Sequence, residues 1–246
     1  MKNILLLLTA LILFVACQTD NDKKEASDFF LRGNQKLKEK EYFEAIKWFG
    51  EAINKQSEFS DAFYNRGLSY QALEKNEEAL NDFTKAFELD PQFSFALFKK
   101  VEVFQSLDKL DLALTNVNLL VQAFPDSAAN HRLKGDILFQ SKDLNNSLAS
   151  YDRAILLDSN LVEALINKGV VLQEMNELDL AEKIFQKALT KNKYKDLIYN
   201  NLGFLAIQKK QWELANLWVQ KALKISPTNK LYLSNLAKIE AKSTSK

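Results

Sequence analysis

Thiols and imidazoles are the side chains most often recruited for nucleophilic and proton-transfer chemistry, and this chain of 246 residues has one of each, Cys17 and His131. One cysteine forms no internal disulfide, and one histidine rules out a His-rich metal site. No Gly-rich phosphate loop, no Cys and His cluster at metal spacing and no nucleophile beside a base can be read along the chain. Acidic pairs such as Glu77–Glu78 fall in helix turns or on faces where charge is solvated. The expectation is a protein that is not an enzyme and binds no cofactor, metal or small-molecule substrate. His131 reads as a partly buried structural residue. Cys17 ends an apolar run, where it is either incidental to a plain signal peptide or a single N-terminal membrane helix, or a point of attachment.

The residues around Cys17 bear on that choice. Lys2 provides a short positive start, and Ile4 to Ala16 is an uncharged run of about thirteen residues. A bilayer-spanning helix needs roughly twenty apolar residues, whereas this length suits the apolar region of a secretory signal. Leu13, Phe14, Val15 and Ala16 then precede the cysteine. The run resembles the lipobox of bacterial lipoproteins, with Phe14 where that motif usually has Leu. The resemblance implies cleavage after residue 16 and a diacylglyceryl group plus an amide-linked fatty acid such as palmitate on Cys17. Two or more chains are what stable anchoring needs. Gln18 is not the Asp that retains some lipoproteins at the inner membrane, so the outer membrane is expected. The periplasmic face is favoured, with surface display through Asp20 and Asp22 as the alternative. Residues 1–16 are thus read as a signal peptide and 17–25, polar throughout after the cysteine, as a flexible tether.

The elements that follow are set by a period. Gly33, Gly67, Gly135, Gly169 and Gly203 lie 34, 68, 34 and 34 residues apart, and Val101 fills the gap. Twelve residues past each of these slots stand Ala45, Ala79, Ala113, Ser147, Ala181 and Ala215, and seven further on Ala52, Ala86, Leu120, Ala154, Ala188 and Ala222. Pro91, Pro125 and Pro227 each fall 24 residues after the glycine slot. Small residues allow two helix backbones to approach closely, and proline ends the second helix of each pair. Only 6 glycines and 3 prolines, with 47% hydrophobic residues, fit a folded, mostly helical chain. Lys and Arg number 33 against 32 Asp and Glu, so charge gives no reason to expect a nucleic-acid partner.

In register, "AFYNRGLSYQALEKNEEALNDFTKAFELDP" (62 to 91) resembles the tetratricopeptide repeat, with Gly67, Tyr70, Ala79, Phe83, Ala86 and Pro91 in its signature slots. The resemblance covers residues 26–227 in six copies, approximately 26–59, 60–93, 94–127, 128–161, 162–195 and 196–229, with 230–246 as a capping helix and tail. It implies an all-α, right-handed superhelical solenoid of six helix-turn-helix repeats. The third repeat departs with Val101 and Leu120, so its packing is expected to be looser or differently angled.

A wheel places the groove. If the glycine slot is position eight, positions 4, 7, 8 and 11 face the partner helix, and positions 2, 5, 9, 12 and 13 occupy another sector. That second sector supplies the groove candidates Phe30, Asn34, Tyr64, Leu68, Phe95, Phe98, Arg132, Asp136, Ile166, Val170, Asn200 and Phe204. The alternative is that many of these rings pack between repeats. Trp48 and Trp218 share one slot on the second helix, where packing against the adjacent turn is the simpler reading. Some members of the family hold a carboxylate in a two-lysine, two-asparagine clamp. Here the slots are Phe30, Asn34, Asn65, Phe95 and Lys99, and both expected lysines are phenylalanines, which argues against that clamp. The expected function is a lipid-anchored adaptor in the bacterial cell envelope that recruits protein or peptide partners through its concave groove. The alternative is an assembly or piloting factor for a secretion, pilus or motility machine.

Overall fold

The computed structural model describes the backbone of residues 2–243 and the side chains of residues 20–242. Among the described residues there are thirteen α-helices and no strand. They alternate as first and second helices of hairpins: α1 (Lys2–Lys38) with α2 (Tyr42–Lys55), α3 (Ser60–Ala72) with α4 (Asn76–Leu89), and α5 (Ser94–Ser106) with α6 (Leu110–Ala123). The pattern continues with α7 (Ala128–Gln140) and α8 (Leu144–Leu157), α9 (Val162–Glu174) and α10 (Leu178–Leu189), and α11 (Lys195–Gln208) and α12 (Trp212–Ile225). The final helix is α13 (Lys230–Ser243). The chain divides into two compact units, residues 1–116 and 117–246.

The glycine slots are there for closeness rather than for backbone freedom, since no glycine has positive φ. In four of the hairpins a ring from the second helix lies where the glycine's Cβ would be. A Cβ on Gly33 would stand 2.6 Å from the Phe49 ring, one on Gly67 2.7 Å from Phe83, and one on Gly135 2.6 Å from Tyr151. Gly169 meets Phe185 in the same way. The alanines twelve and nineteen residues on are buried beside these rings, as at Ala79 and Ala86 around Phe83. In the third repeat the glycine and ring slots hold Val101 and Val117, both fully buried. In the sixth repeat Gly203 meets Val219 instead of a ring.

A second regular slot does carry backbone strain. The turn between first and second helices holds Lys40, Glu74, Asp108, Lys142, Asn176 and Lys210, all left-handed, with φ between 55° and 63°. Each turn is closed by an amide hydrogen bond to the carbonyl five residues earlier, for example Glu41 N to Lys36 O at 2.9 Å and Asp143 N to Leu138 O at 2.9 Å. This is the Schellman helix stop, which normally favours glycine. None of the six is glycine. At the other end of the hairpin, α4, α6 and α12 each stop two residues before Pro91, Pro125 and Pro227, because proline has no N–H to continue the ladder.

Helix α13 covers the end of the last hairpin. Tyr232 and Ile239 are buried in one apolar cluster with Ala206, Val219 and Leu223. The signal-peptide reading of 1–16 and the lipid site at Cys17 lie outside the residues whose side chains are described. The segment 17–25, read as a flexible tether, is helical in its backbone as part of α1. It contains no glycine or proline to stop a helix. Lys55 on α2 also lies 2.6 Å from Glu25 and 3.5 Å from Asp22.

Candidate partner-binding faces

In the first unit the candidate side chains divide into packed and open ones. Phe30 lies between Phe49 and Phe59, at ring-centre distances of 5.8 and 4.8 Å. One repeat on, Tyr64 lies between Phe83 and Phe93 at the same two distances. These two rings are therefore mainly repeat packing, and burial raises the Tyr64 hydroxyl's pKa. Leu68 joins the same cluster as Phe83 and Val103. Asn34 accepts a hydrogen bond from Asn65 Nδ2 at 2.7 Å, which ties the first helices of adjacent repeats together. Phe98 is half-buried. Phe95 is 66% exposed and touches Phe93 only edge-on, so it is the open aromatic of this face. Behind the face, Arg66 donates twice to the buried Asp82, both at 2.8 Å. Burial pushes the Asp82 carboxyl upward against the pull of the guanidinium.

In the second unit, Arg132 and Asp136 are joined to each other, and Asp136 also accepts from Tyr151 Oη at 2.7 Å and Asn167 Nδ2 at 2.8 Å. Burial pushes the Asp136 carboxyl upward, with Arg132, Tyr151 and Asn167 opposing. That network joins the fourth and fifth repeats and leaves little of Asp136 free for a ligand. Ile166 is buried at the wall of a cleft of about 210 Å³, with Arg132, Glu163, Asn167, Tyr194 and Leu197. His131 forms a 2.8 Å hydrogen bond through Nε2 to the carbonyl of Pro125, a structural tie to the preceding turn.

A cavity of about 570 Å³ lies between α9, α11 and α13. It gathers three sequence candidates, Val170, Asn200 and Phe204. It also contains residues that the wheel did not single out: Gln173, Asn201, Gln208, Asn235 and Lys238. Gln173 and Gln208 occupy positions 12 and 13, inside the groove sector, so reading every position of that sector would have found them. Asn235 and Lys238 belong to α13, which was read only as a cap.

The two tryptophans stack within their own hairpins. Trp48 lies on Phe29 at 5.8 Å and 21°, and Trp218 on Tyr199 at 5.6 Å and 19°. Arg32 stands over Trp48 at 5.1 Å and Lys221 over Trp218 at 4.3 Å. This is the packed reading of that slot.

Comparison with known proteins adds the family to this geometry. Tetratricopeptide-repeat models match residues 60–93, 135–176 and 162–192. The chain contains tetratricopeptide repeats. Human "Tetratricopeptide repeat protein 6" is 35% identical over 94 residues, 38% of this chain and 18% of that protein. The STIP1 homolog of Dictyostelium discoideum is 33% identical over 113 residues, 43% of this chain and 20% of that protein. The chain thus spans about a fifth of the length of these curated relatives. Among solved structures, PilF of Pseudomonas aeruginosa superposes with a TM-score of 0.72 at 13% identity, covering 89% of this chain and 99% of PilF. MamA of Desulfovibrio magneticus RS-1 gives 0.63 at 20% identity, covering 70% and 97%. YrrB, described as a repeat protein with an unusual peptide-binding site, gives 0.58 at 23% identity, covering 76% and 96%. At these identities the likeness establishes the fold, a tetratricopeptide-repeat solenoid.

Proposed function

We propose that this protein is a non-enzymatic scaffold that binds protein or peptide partners on the first-helix faces of its repeats and is held in the bacterial cell envelope by a lipid on Cys17. The observation that carries the binding half is the 570 Å³ cavity lined by first-helix side chains, with the open ring of Phe95 as a second contact point. Concave sites with apolar walls and a few convergent polar groups are where ligands bind. The peptide-binding site named for YrrB supports a peptide as the kind of partner. The anchoring half rests on "LFVAC" (13 to 17) after a short apolar run, and the location that goes with this reading is the outer membrane, on the periplasmic face. A second reading, an assembly or piloting factor for a secretion, pilus or motility machine, draws support from the nearly end-to-end match in extent with PilF.

The test is crosslinking and affinity capture from the native envelope, comparing the wild type with a Phe95→Ser, Phe98→Ser variant and with Cys17→Ser. The expected outcome is reduced partner recovery in the first variant and loss of lipid labelling and membrane association in the second. Unchanged partner recovery would remove the first-unit face from the reading, and lipid labelling that persists in Cys17→Ser would remove the anchor. Capture of a pore or pilus subunit as the main partner would select the piloting reading.

A further inference from the structure

The second helices of the second unit share one core. Leu148 and Ile155 of α8, Ile184 of α10 and Trp218 of α12 all pack against the same apolar cluster. Their inner sides are marked by buried alanines, Ala154, Ala181, Ala188, Ala215 and Ala222. At about 100° per residue, the opposite side of α12 carries Leu217, Lys221, Lys224 and Ile225 within an arc of about 100°. On α10 the opposite side carries Leu180, Lys183 and Lys187, and on α8 Arg153 and Leu156, each within about 60°. Arg153, Lys187 and Lys221 recur 34 residues apart, so the period supplies one cation to the outer side of each helix.

The carboxylates of these helices do little to balance that charge. Asp152 of α8 is paired with Lys168 of α9. Asp179 and Glu182 of α10 are both paired with Lys209, at the end of α11, at 2.6 and 2.7 Å. Cations of the first-helix layer thus neutralise three of the four acids, and Glu213 in the first turn of α12 is the fourth. Arg153 has the exposed Asp126 at 3.6 Å, a weak surface pair. The outer side therefore keeps a net positive charge, which favours an anionic partner.

Between the cations stand aliphatic side chains in water. Leu156, Leu180, Leu217 and Ile225 are between 47% and 74% exposed. A single exposed leucine is ordinary. Aliphatics interleaved with lysines on one helix face are instead the composition of helices that lie in a lipid interface, where ammonium groups meet headgroup phosphates and aliphatic chains enter the acyl boundary. Neither of the two recesses described above takes a residue from α8, α10 or α12, and a fluid surface needs no recess. Trp218 is already stacked on Tyr199 beneath Lys221, so it is not offered to a nucleic-acid base.

We infer that the outer side of α8, α10 and α12 docks on an anionic lipid bilayer, with Lys183, Lys187, Lys221 and Lys224 at headgroup phosphates and Leu180, Leu217 and Ile225 at the acyl boundary. The inference goes beyond the lipid anchor, because it rests on side chains of the second unit alone.

The experiment uses the full chain with Cys17→Ser and one new cysteine carrying an environment-sensitive fluorophore. The label sits at Gln220→Cys, an exposed position beside Lys221, or at Asn201→Cys, in the cavity wall. Vesicles of equal parts phosphatidylglycerol and phosphatidylethanolamine should brighten and blue-shift the label at 220 but not the label at 201, and phosphatidylcholine vesicles should do neither. A Lys183→Glu, Lys187→Glu, Lys224→Glu variant with unchanged melting temperature should need about 100-fold more lipid, at about fivefold per lysine. If the triple variant melts early, Lys187→Glu replaces it, with an expected loss of about fivefold. Equal response to the two lipids, equal response at 201 and 220, or an unweakened variant would each overturn the inference. A response to heparin that vesicles do not give would assign a soluble polyanion instead. Lipid labelling at Cys17 tests the anchor separately, so docking that persists in a chain without an anchor leaves this inference standing.

Discussion

Gly67 and Phe83 offer a direct measure of what holds each hairpin together. Replacing Gly67 by Ala puts a methyl group 2.7 Å from Phe83 Cε1, 2.9 Å from Cδ1 and 3.3 Å from Asp82 Cβ. Phe83 is fully buried among Ala79 and Val103, with Tyr64, Leu68 and Tyr70 around it, so the ring has little space into which to retreat. Overpacking of this kind costs about 1–3 kcal/mol. Against it stands a gain of about 1 kcal/mol from replacing glycine inside a helix. The upper half of the overpacking range applies because Asp82, at the clash, is also held by Arg66, and the net loss expected for Gly67→Ala is about 1–2 kcal/mol. Phe83→Val alone leaves a cavity under Gly67 and should cost about 2–3 kcal/mol, somewhat less than full truncation to Ala. The double variant reproduces the Val-for-ring exchange of the third repeat, and there the methyl group fills part of the space the ring has left. Its loss should be smaller than the two single losses added together, by about 1–2 kcal/mol, a coupling well above the roughly 0.5 kcal/mol within which independent sites add. Urea unfolding followed by circular dichroism, run on all four proteins, gives the cycle. Additivity within 0.5 kcal/mol would refute the claim that glycine and ring are one packing unit.

The turns and the last helix yield two further expectations. Lys142→Gly relieves a left-handed backbone at φ 63°, in a side chain whose nearest carboxylate is a surface one at 3.7 Å. Urea unfolding should show a stability gain of about 0.5–1 kcal/mol, and a loss would refute the strain. Asp196, on α11, accepts from Ser226 at 2.8 Å and from Tyr232 on α13 at 3.2 Å. Burial would raise its pKa, but the hydrogen bonds from Ser226, the Leu197 amide and Tyr232 outweigh burial, and the folded pKa lies below the ordinary aspartate value. With its folded pKa depressed, Asp196 stabilises the chain above the unfolded pKa, and that contribution is lost as pH falls through the folded one. In Asp196→Asn the α13 amides should exchange hydrogen faster at pH 7, and lowering the pH below about 4 should narrow the gap from wild type. A gap that instead widens in acid would contradict the assignment.

Much of the architecture is legible in the sequence because it is imposed by repetition. The glycine, alanine and proline slots recur at 34, and each marks a contact that every hairpin must make, so chance similarity at one repeat is corrected by the other five. The turn slot is less visible for a chemical reason: where glycine would have announced a left-handed residue, Lys40, Glu74 and Lys210 do not. The partner faces are harder still. Phe30 and Tyr64 occupy groove positions by wheel angle, yet Phe59 and Phe93, from the ends of the same repeats, cover them. The ties between carboxamides connect residues 31 or 35 apart, as in Asn34 with Asn65 and Gln173 with Gln208. Those offsets arise from the way one repeat is set against the next, which a fixed period of 34 does not display. Asn235 and Lys238 escaped because a terminal helix reads as a lid, although here it is also a wall.

The six left-handed turns have a consequence for how this molecule can change over time. Each keeps a residue in a backbone state that an L side chain resists, and each is closed by its own hydrogen bond. The tension is divided into six separate parcels. One substitution releases one parcel and leaves the next repeat as it was. A lineage carrying this chain could therefore adjust its heat tolerance in small, independent steps, and at the turns other than Asn176, which lines the cavity, without altering that wall.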